Sequence, residues 1–149
     1  MEFEVKLVSP EKKYLDACFR DVKKRLKEYL GANYWFLAYK ENKIVGFIAV
    51  RETDDFREME AYSLPIDFSP GEFEPFIYVE MAYVSKKFLK KGAWSSLRNK
   101  LDEVADENKI NVITEIANNN SFLIKKLKEK GYKKIAKSRD FNYLFKKNK

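Results

Sequence analysis

Residues 76 to 97, FIYVEMAYVSKKFLKKGAWSSL, decide how the chain is read. An apolar strand runs into a lysine-rich turn holding one glycine, Gly92, and then straight into a helix. A helix opened in this way leaves its first backbone NH groups without partners, with the positive end of the helix dipole behind them. Lys86, Lys87, Lys90, Lys91, Arg98 and Lys100 surround the turn, and no acid occurs between 85 and 100. The local field there favours an anion, such as a phosphorylated ligand. Taken alone, the stretch admits two readings: an anion site, or an ordinary strand-to-helix connection with solvated lysines.

The remaining composition narrows the choice. The chain has 149 residues, the size of one domain able to bury a single core, so residues 1 to 149 are expected to form one domain. It lacks histidine, which removes His-based triads, the usual zinc sites and the commonest general base, and no metal is expected. Proton transfer then falls to Glu, Asp, Tyr, Lys or water. The single cysteine, Cys18, cannot form an internal disulfide, and no apolar run approaches the roughly 20 residues of a membrane span. A soluble, cytoplasmic protein is the expectation. The net charge of +7 is unevenly placed. Residues 125 to 149 hold eleven Lys or Arg against Glu129 and Asp140, while between 52 and 80 nine acids face only Arg57.

Working outward, residues 3 to 8 alternate as a half-buried strand, and Ser9-Pro10 opens a helical pattern that runs to Gly31. Residues 34 to 39 and 44 to 50 read as an antiparallel hairpin about the turn 40 to 43, with Gly46 marking a bulge or a close backbone approach. Residues 51 to 75 are a long loop rich in acids, proline and aromatics, with at most one short element near 57 to 62. After the strand 76 to 84, a helix is predicted from about 91 to 107, with Trp94, Leu97, Leu101, Val104 and Ala105 as its apolar stripe. A strand over 110 to 117 is expected to pair parallel with 76 to 84. Asn120 is the expected N-cap of a helix over 121 to 130 that ends at Gly131. Strands over 132 to 136 and 141 to 145 close the chain, and the tail beyond Phe145 is expected to fray. The fold class is mixed α/β, a central mixed sheet flanked by helices in the order β-α(α)-β-β-β-α-β-α-β-β.

Two motifs within this order resemble the GNAT superfamily of N-acetyltransferases. Glu80-Met81-Ala82-Tyr83-Val84, then five residues, then Lys90-Lys91-Gly92-Ala93-Trp94-Ser95, is similar to the family's fourth strand and its acetyl-CoA pyrophosphate loop. Glu115-Ile116-Ala117, Asn120 and Gly131-Tyr132 resemble its fifth strand, a helix-opening Asn and the Gly-aromatic pair that ends the following helix. The resemblance implies acetyl-CoA as cosubstrate, bound by Ala82, Tyr83, Val84, Lys90, Lys91, Gly92, Ala93, Trp94, Ser95 and Asn120, and acetyl transfer to an amine. It implies Glu80 as the base, at a position where several small-amine members carry a Glu, with Glu115 as second candidate. The tetrahedral oxyanion would meet a backbone NH near residues 81 to 83. Tyr78 and Tyr83 read as strand packing.

The departures from the family pattern are specific. Leu89 stands where Gln or Arg usually opens the loop, and Trp94 where Gly or Ala lets the backbone approach the pyrophosphate. The Trp94 ring either joins the helix stripe with Leu97, the favoured placement, or crowds the cofactor. Leu127 occupies the place of a Tyr that protonates the leaving thiolate, and leucine has no proton to give. Tyr132, Tyr143 or water then remain as proton sources. The acidic stretch before Glu80 suggests a cationic amine, a polyamine or a protein amine, as acceptor. Two further readings stand beside the enzyme: a catalytically degenerate acyl-CoA-binding or assembly module, and a nucleic-acid binder resting on the basic C-terminal stretch. Nucleic acid is not the expected partner, because that stretch carries no recognition motif. A homodimer, common in the family, is left open.

Overall fold

A computed structural model of the protein describes residues 2–11, 32–52 and 73–149. The expected helix between Pro10 and Gly31, Cys18 within it, and most of the acidic loop lie outside the described residues. Seven strands occur in the described residues: β1 (Glu4–Val8), β2 (Tyr34–Lys40), β3 (Lys43–Glu52), β4 (Phe76–Val84), β5 (Asn111–Ala117), β6 (Lys133–Lys137) and β7 (Phe141–Lys146). Two helices accompany them, α1 (Ala93–Glu107) and α2 (Ser121–Glu129). Hydrogen bonding links the strands in the order β1-β2-β3-β4-β5-β7-β6. The β4–β5 pair is parallel, with Phe76 opposite Asn111 and Val79 opposite Thr114. The expected mixed sheet with parallel pairing across α1 is therefore what forms, mostly antiparallel elsewhere.

Contacts group the chain into two compact units, Met1–Val50 with Glu80–Val104, and Arg51–Val79 with Ala105–Lys149. In the first, Trp35 to Ala38 of β2 and Val45 to Val50 of β3 are buried without alternation. Strands covered on both faces read as continuous apolar runs, and this pair does. One face packs Trp35, Leu37, Phe47 and Ala49 together, with Tyr83 stacked on Phe47 at 6.2 Å between ring centroids. β1 is the half-buried edge, with Lys6 and Leu7 exposed. In the second unit, Phe76, Tyr78, Ile113 and Tyr143 form the core, joined by Phe73 and Phe145 at 4.8 Å.

The β2–β3 turn is tighter than expected. Lys40 pairs with Lys43, so the loop is only Glu41 and Asn42, both at positive φ of 51° and 67°. Two such residues give the turn whose twist matches the strands it joins. Gly46 fulfils both readings made of it. Ala38 pairs with Gly46 and Tyr39 with Ile44, leaving Val45 as the extra residue of a bulge. A Cβ on Gly46 would also stand 2.8 Å from the Tyr83 carbonyl oxygen and 3.3 Å from Leu97 Cδ1. Gly46→Ala is therefore expected to destabilise the protein by roughly 1–3 kcal/mol through overpacking, more than the roughly 0.4–1 kcal/mol that a stiffer unfolded chain returns. A lower denaturant midpoint at unchanged slope in urea unfolding checks this.

The tail does not fray as expected. β7 runs to Lys146, and the backbone NH and side-chain amide of Asn148 both donate to Asn111 Oδ1, at 2.9 and 2.8 Å. The buried Asn111 is held in turn by donating from Nδ2 to the Phe73 carbonyl at 3.0 Å. Among the described residues no helix is long and apolar enough to cross a membrane, and no group of three His, Cys, Asp or Glu is placed to hold a metal ion.

Candidate active site

The loop between β4 and α1 is built from the backbone outward. The bulge frees the Val45 carbonyl to accept the Ser85 NH at 2.8 Å, fixing where β4 ends. The Phe88 NH then donates to the Ser85 carbonyl at 2.8 Å, closing a 3-10 turn over Lys86–Phe88. The Phe88 ring meets Phe3 edge-on at 6.0 Å, so this turn is anchored by an aromatic side chain rather than by its lysines. Lys90 and Gly92 follow at positive φ, 61° and 94°. That pair of left-handed residues turns the chain sharply into α1, whose ladder begins with the Ser96 NH on the Gly92 carbonyl at 2.9 Å. The NH groups from Gly92 to Ser95 therefore have no acceptor within the helix.

The charges around this helix run against its dipole. Its first turn holds no acid, and Lys86, Lys87, Lys90 and Lys91 are exposed beside it. Its last turn holds no base, while Asp102, Glu103, Asp106 and Glu107 crowd the second half. Helices are stabilised by the opposite arrangement. An anion bound at the N-terminus would relieve the unfavourable cations there. Space for one exists at the backbone: a Cβ built on Gly92 would meet nothing within 4 Å.

Each expected site residue has a definite place. Ala82, Lys90, Lys91, Gly92 and Ser95 are exposed, Tyr83, Val84 and Trp94 are half-buried, and Ala93 is fully buried, so only its backbone can face a ligand. Glu80 lies in β4, and its side chain is outside the described residues. All of these fall on one continuous segment of the first unit. Asn120 belongs to the second unit, where it caps α2 as expected: its Oδ1 accepts the Leu123 NH at 3.2 Å.

Three departures mark the loop and α1. The helix starts at Ala93, two residues later than predicted, because Lys90 and Gly92 take left-handed conformations. Trp94 only borders the buried stripe, which is carried by Ala93, Leu97, Leu101 and Ala105. Arg98, counted among the cations around the loop, is 1% exposed and does not belong to that solvated set. Its position could have been foreseen, since 98 is four residues after Trp94 and three before Leu101, within the stripe. Leu89 is 53% exposed, a large apolar side chain at the mouth of the loop.

In the second unit a polar cluster forms that spacing alone did not reveal. The Tyr78 hydroxyl of β4 donates to the Glu115 carboxylate of β5. Glu115 also pairs directly with Tyr143 of β7. Burial raises the Tyr143 phenol above its ordinary 10.0, a hydrogen bond with Ser138 works against this, and the Glu115 charge adds to it. Tyr78 is thus both packing, as expected, and a hydrogen-bond donor. Tyr132 and Tyr143 are 2% and 1% exposed, so neither phenol is presented at a surface, and Leu127 is fully buried as a core residue.

The raised phenol has a consequence for stability. Its folded pKa lies above its unfolded one, so the stability it contributes is complete below about pH 10 and is lost as pH rises towards and through the folded value. Unfolding midpoints are expected to fall above about pH 10, and to fall less steeply in Tyr143→Phe. Denaturant titrations across that range, wild type against variant, check the sign.

A strand, a lysine-flanked turn and a helix set in a mostly antiparallel sheet are the features to which comparison then gives a family. The profile of the Acetyltransferase (GNAT) family matches residues 3–132, and the chain belongs to that family. No curated protein sequence matches it. Among solved structures, it is similar to PH1933 from Pyrococcus horikoshii OT3, with 19% identity, 98% of this chain and 99% of that one covered, and a TM-score of 0.70. It is similar to a Bacillus anthracis str. Ames protein assigned as a streptothricin acetyltransferase and solved in complex with acetyl coenzyme A, with 14% identity, coverage of 97% and 99%, and a TM-score of 0.65. It is also similar to the ribosomal-protein-S18-alanine N-acetyltransferase from Escherichia coli, with 12% identity, coverage of 95% and 91%, and a TM-score of 0.64. At these identities the likeness is one of fold.

Proposed function

We propose that the protein transfers the acetyl group of acetyl-CoA to a primary amine of a cationic acceptor. The observation that carries this reading is the loop itself, with Lys90 and Gly92 at positive φ, NH groups from Gly92 to Ser95 without helical acceptors, and no acid in the first turn. Family membership and the acetyl-CoA complex of the Bacillus anthracis relative support the same ligand. The pyrophosphate would lie on the NH groups of Gly92 to Ser95, with Lys90 and Lys91 adding charge. Leu89 does not prevent this, because backbone NH groups carry most of such a site.

The chemistry follows from the acceptor. A lysine-type amine, with a pKa of about 10.4, is protonated at neutral pH and cannot attack. Glu80, set in the apolar run of β4, takes one proton from the ammonium. The neutral nitrogen then adds to the thioester carbonyl, and a backbone NH near residues 81 to 83 meets the oxyanion. The carbon–sulfur bond breaks, the amide forms, and the thiolate, with a conjugate-acid pKa of about 8.5, leaves without needing a strong acid. Water takes the second proton that the nitrogen gives up as the amide forms and hands one to the thiolate, given the burial of Tyr132 and Tyr143. A cationic acceptor is supported by the nine acids between 52 and 80.

Isothermal titration with acetyl-CoA tests the reading: heat of binding is expected, abolished by prior saturation with CoA. Absence of heat and of competition would remove it. Binding without turnover on any amine would favour the catalytically degenerate module, for which Leu89 and Trp94 are the relevant residues.

A further inference from the structure

We propose that the C-terminal part of the chain, residues 121 to 149, carries a binding face for single-stranded nucleic acid, whose phosphates meet its lysines and one of whose bases stacks on Phe122. The charge excess there was evident from the sequence, but the structure adds its placement. Lys125, Lys126 and Lys128 of α2 are exposed, and so are Lys133, Lys134 and Lys137 of β6. β6 ends the strand order, so Lys133, Lys134 and Lys137 belong to an edge strand of the sheet. Eleven basic residues face only Glu129 and Asp140 from 125 onward, and Glu129 reaches Lys126 at a loose 3.9 Å.

Edge protection explains some of these lysines, since charges on an outer strand discourage pairing with other chains. It does not explain Phe122. This ring, at the second position of α2, is 60% exposed and is the one large apolar side chain of the region, among the described residues, left so open. Lys126 Nζ lies 5.6 Å from its centroid, and Lys125 follows at the neighbouring helical position. An exposed ring flanked by ammonium groups is what an unpaired base and its phosphates engage: the π-face stacks and the cations hold the backbone.

The fold gathers the two halves of this face. Asn118, two residues before the α2 cap, donates from Nδ2 to the carbonyls of Ser138 and Arg139 at 3.2 and 2.7 Å, and its Oδ1 accepts from Asn142 at 2.6 Å. The β6–β7 turn, with exposed Arg139, is thereby fixed beside Asn118, just ahead of α2. At the far end α2 passes through Gly131 into β6. On β6 the register places Lys134 and Lys137 on one face, opposite Leu144 and Asn142, and Lys133 on the other. A single exposed ring is too little apolar surface to insert into a membrane, and an acidic protein partner would leave it without a role.

The test is fluorescence anisotropy of the full chain with labelled RNA and DNA single strands of about 20 nucleotides, the matching duplex, and phosphatidylserine vesicles as competitor, over a range of salt. Both single strands are expected to bind more tightly than the duplex. Phe122→Ala should weaken single-strand binding about tenfold while leaving its salt slope unchanged. Lys133→Glu/Lys134→Glu/Lys137→Glu should weaken binding and flatten the slope of log K against log salt by about 2. These positions are exposed, so unchanged thermal melts of the variants are expected and exclude misfolding. No single-strand binding at low salt, binding indifferent to Phe122→Ala, or vesicle binding that matches the single strand would each overturn the proposal. The readout involves no acetyl-CoA, so its failure is separate from failure of the acetyltransferase reading.

Discussion

Glu80→Gln is expected to lower the kcat of acetyl transfer by about 10²- to 10⁴-fold at neutral pH, the usual contribution of a positioned general base. The amide keeps the size of the side chain but cannot take a proton, so acetyl-CoA affinity should be unchanged. The residual rate carries the diagnostic. With no base, only the fraction of acceptor already neutral can react, and that fraction rises tenfold per pH unit until the amine pKa of about 10.4. The variant's rate should therefore climb with pH and close on the wild type, whereas a merely structural loss would remain constant across the range. Thiol release followed in wild type and variant between neutral and alkaline pH checks both the size and the slope.

Gly92→Ala should weaken acetyl-CoA binding by about 10- to 100-fold, the loss expected when a charge-assisted hydrogen bond is withdrawn. Two costs must be separated. The φ of 94° suits glycine, and an alanine there carries backbone strain of roughly 1–2 kcal/mol. No clash accompanies it, because the added Cβ meets nothing within 4 Å. The fold should tolerate the change with a fall in melting temperature of several degrees at most. Binding should suffer more, because the open space at Gly92 is the space the pyrophosphate would use to approach the NH groups of the first turn. Titration calorimetry with acetyl-CoA beside a thermal melt separates the two effects, and affinity is expected to fall further than stability.

Much of the fold was legible because its signals are local. The apolar runs of β2 and β3, Gly46 as an interruption, Asn120 as a cap and Gly131 as a terminus each express a preference of a few neighbouring residues. The parallel pairing of β4 with β5 followed from the helix between them. What escaped depends on register. Tyr78 reaches Glu115 because Tyr78 pairs with Ile113, which puts the residue two further along β5 on the same face. No local pattern fixes that offset. The hold of Asn111 on Asn148 joins residues 37 apart, so a lysine-rich tail that looks frayed by composition is tied down.

The candidate site was legible in its motif and less so in its details. The loop stood out because lysines without acids precede a helix, and the structure gives that turn its left-handed residues. Arg98 was misjudged because charge was weighed before helical position. Trp94 divides the difference between its two readings: the stripe passes one residue to its side, through Ala93 and Leu97, and leaves it half-buried. The bulge at Val45 had no separate signal beyond Gly46, yet it supplies the carbonyl that anchors Ser85 at the start of the loop.

Release of free thiol from acetyl-CoA by the 149-residue chain, measured against a panel of primary amines that includes polyamines and lysine-bearing peptides, tests the central claim most directly. Thiol release dependent on a cationic amine is the predicted result, matched mole for mole by an acetylated amine in the mass spectrum. A rate no greater than the uncatalysed reaction with every amine, from protein that has folded and bound acetyl-CoA, would contradict it.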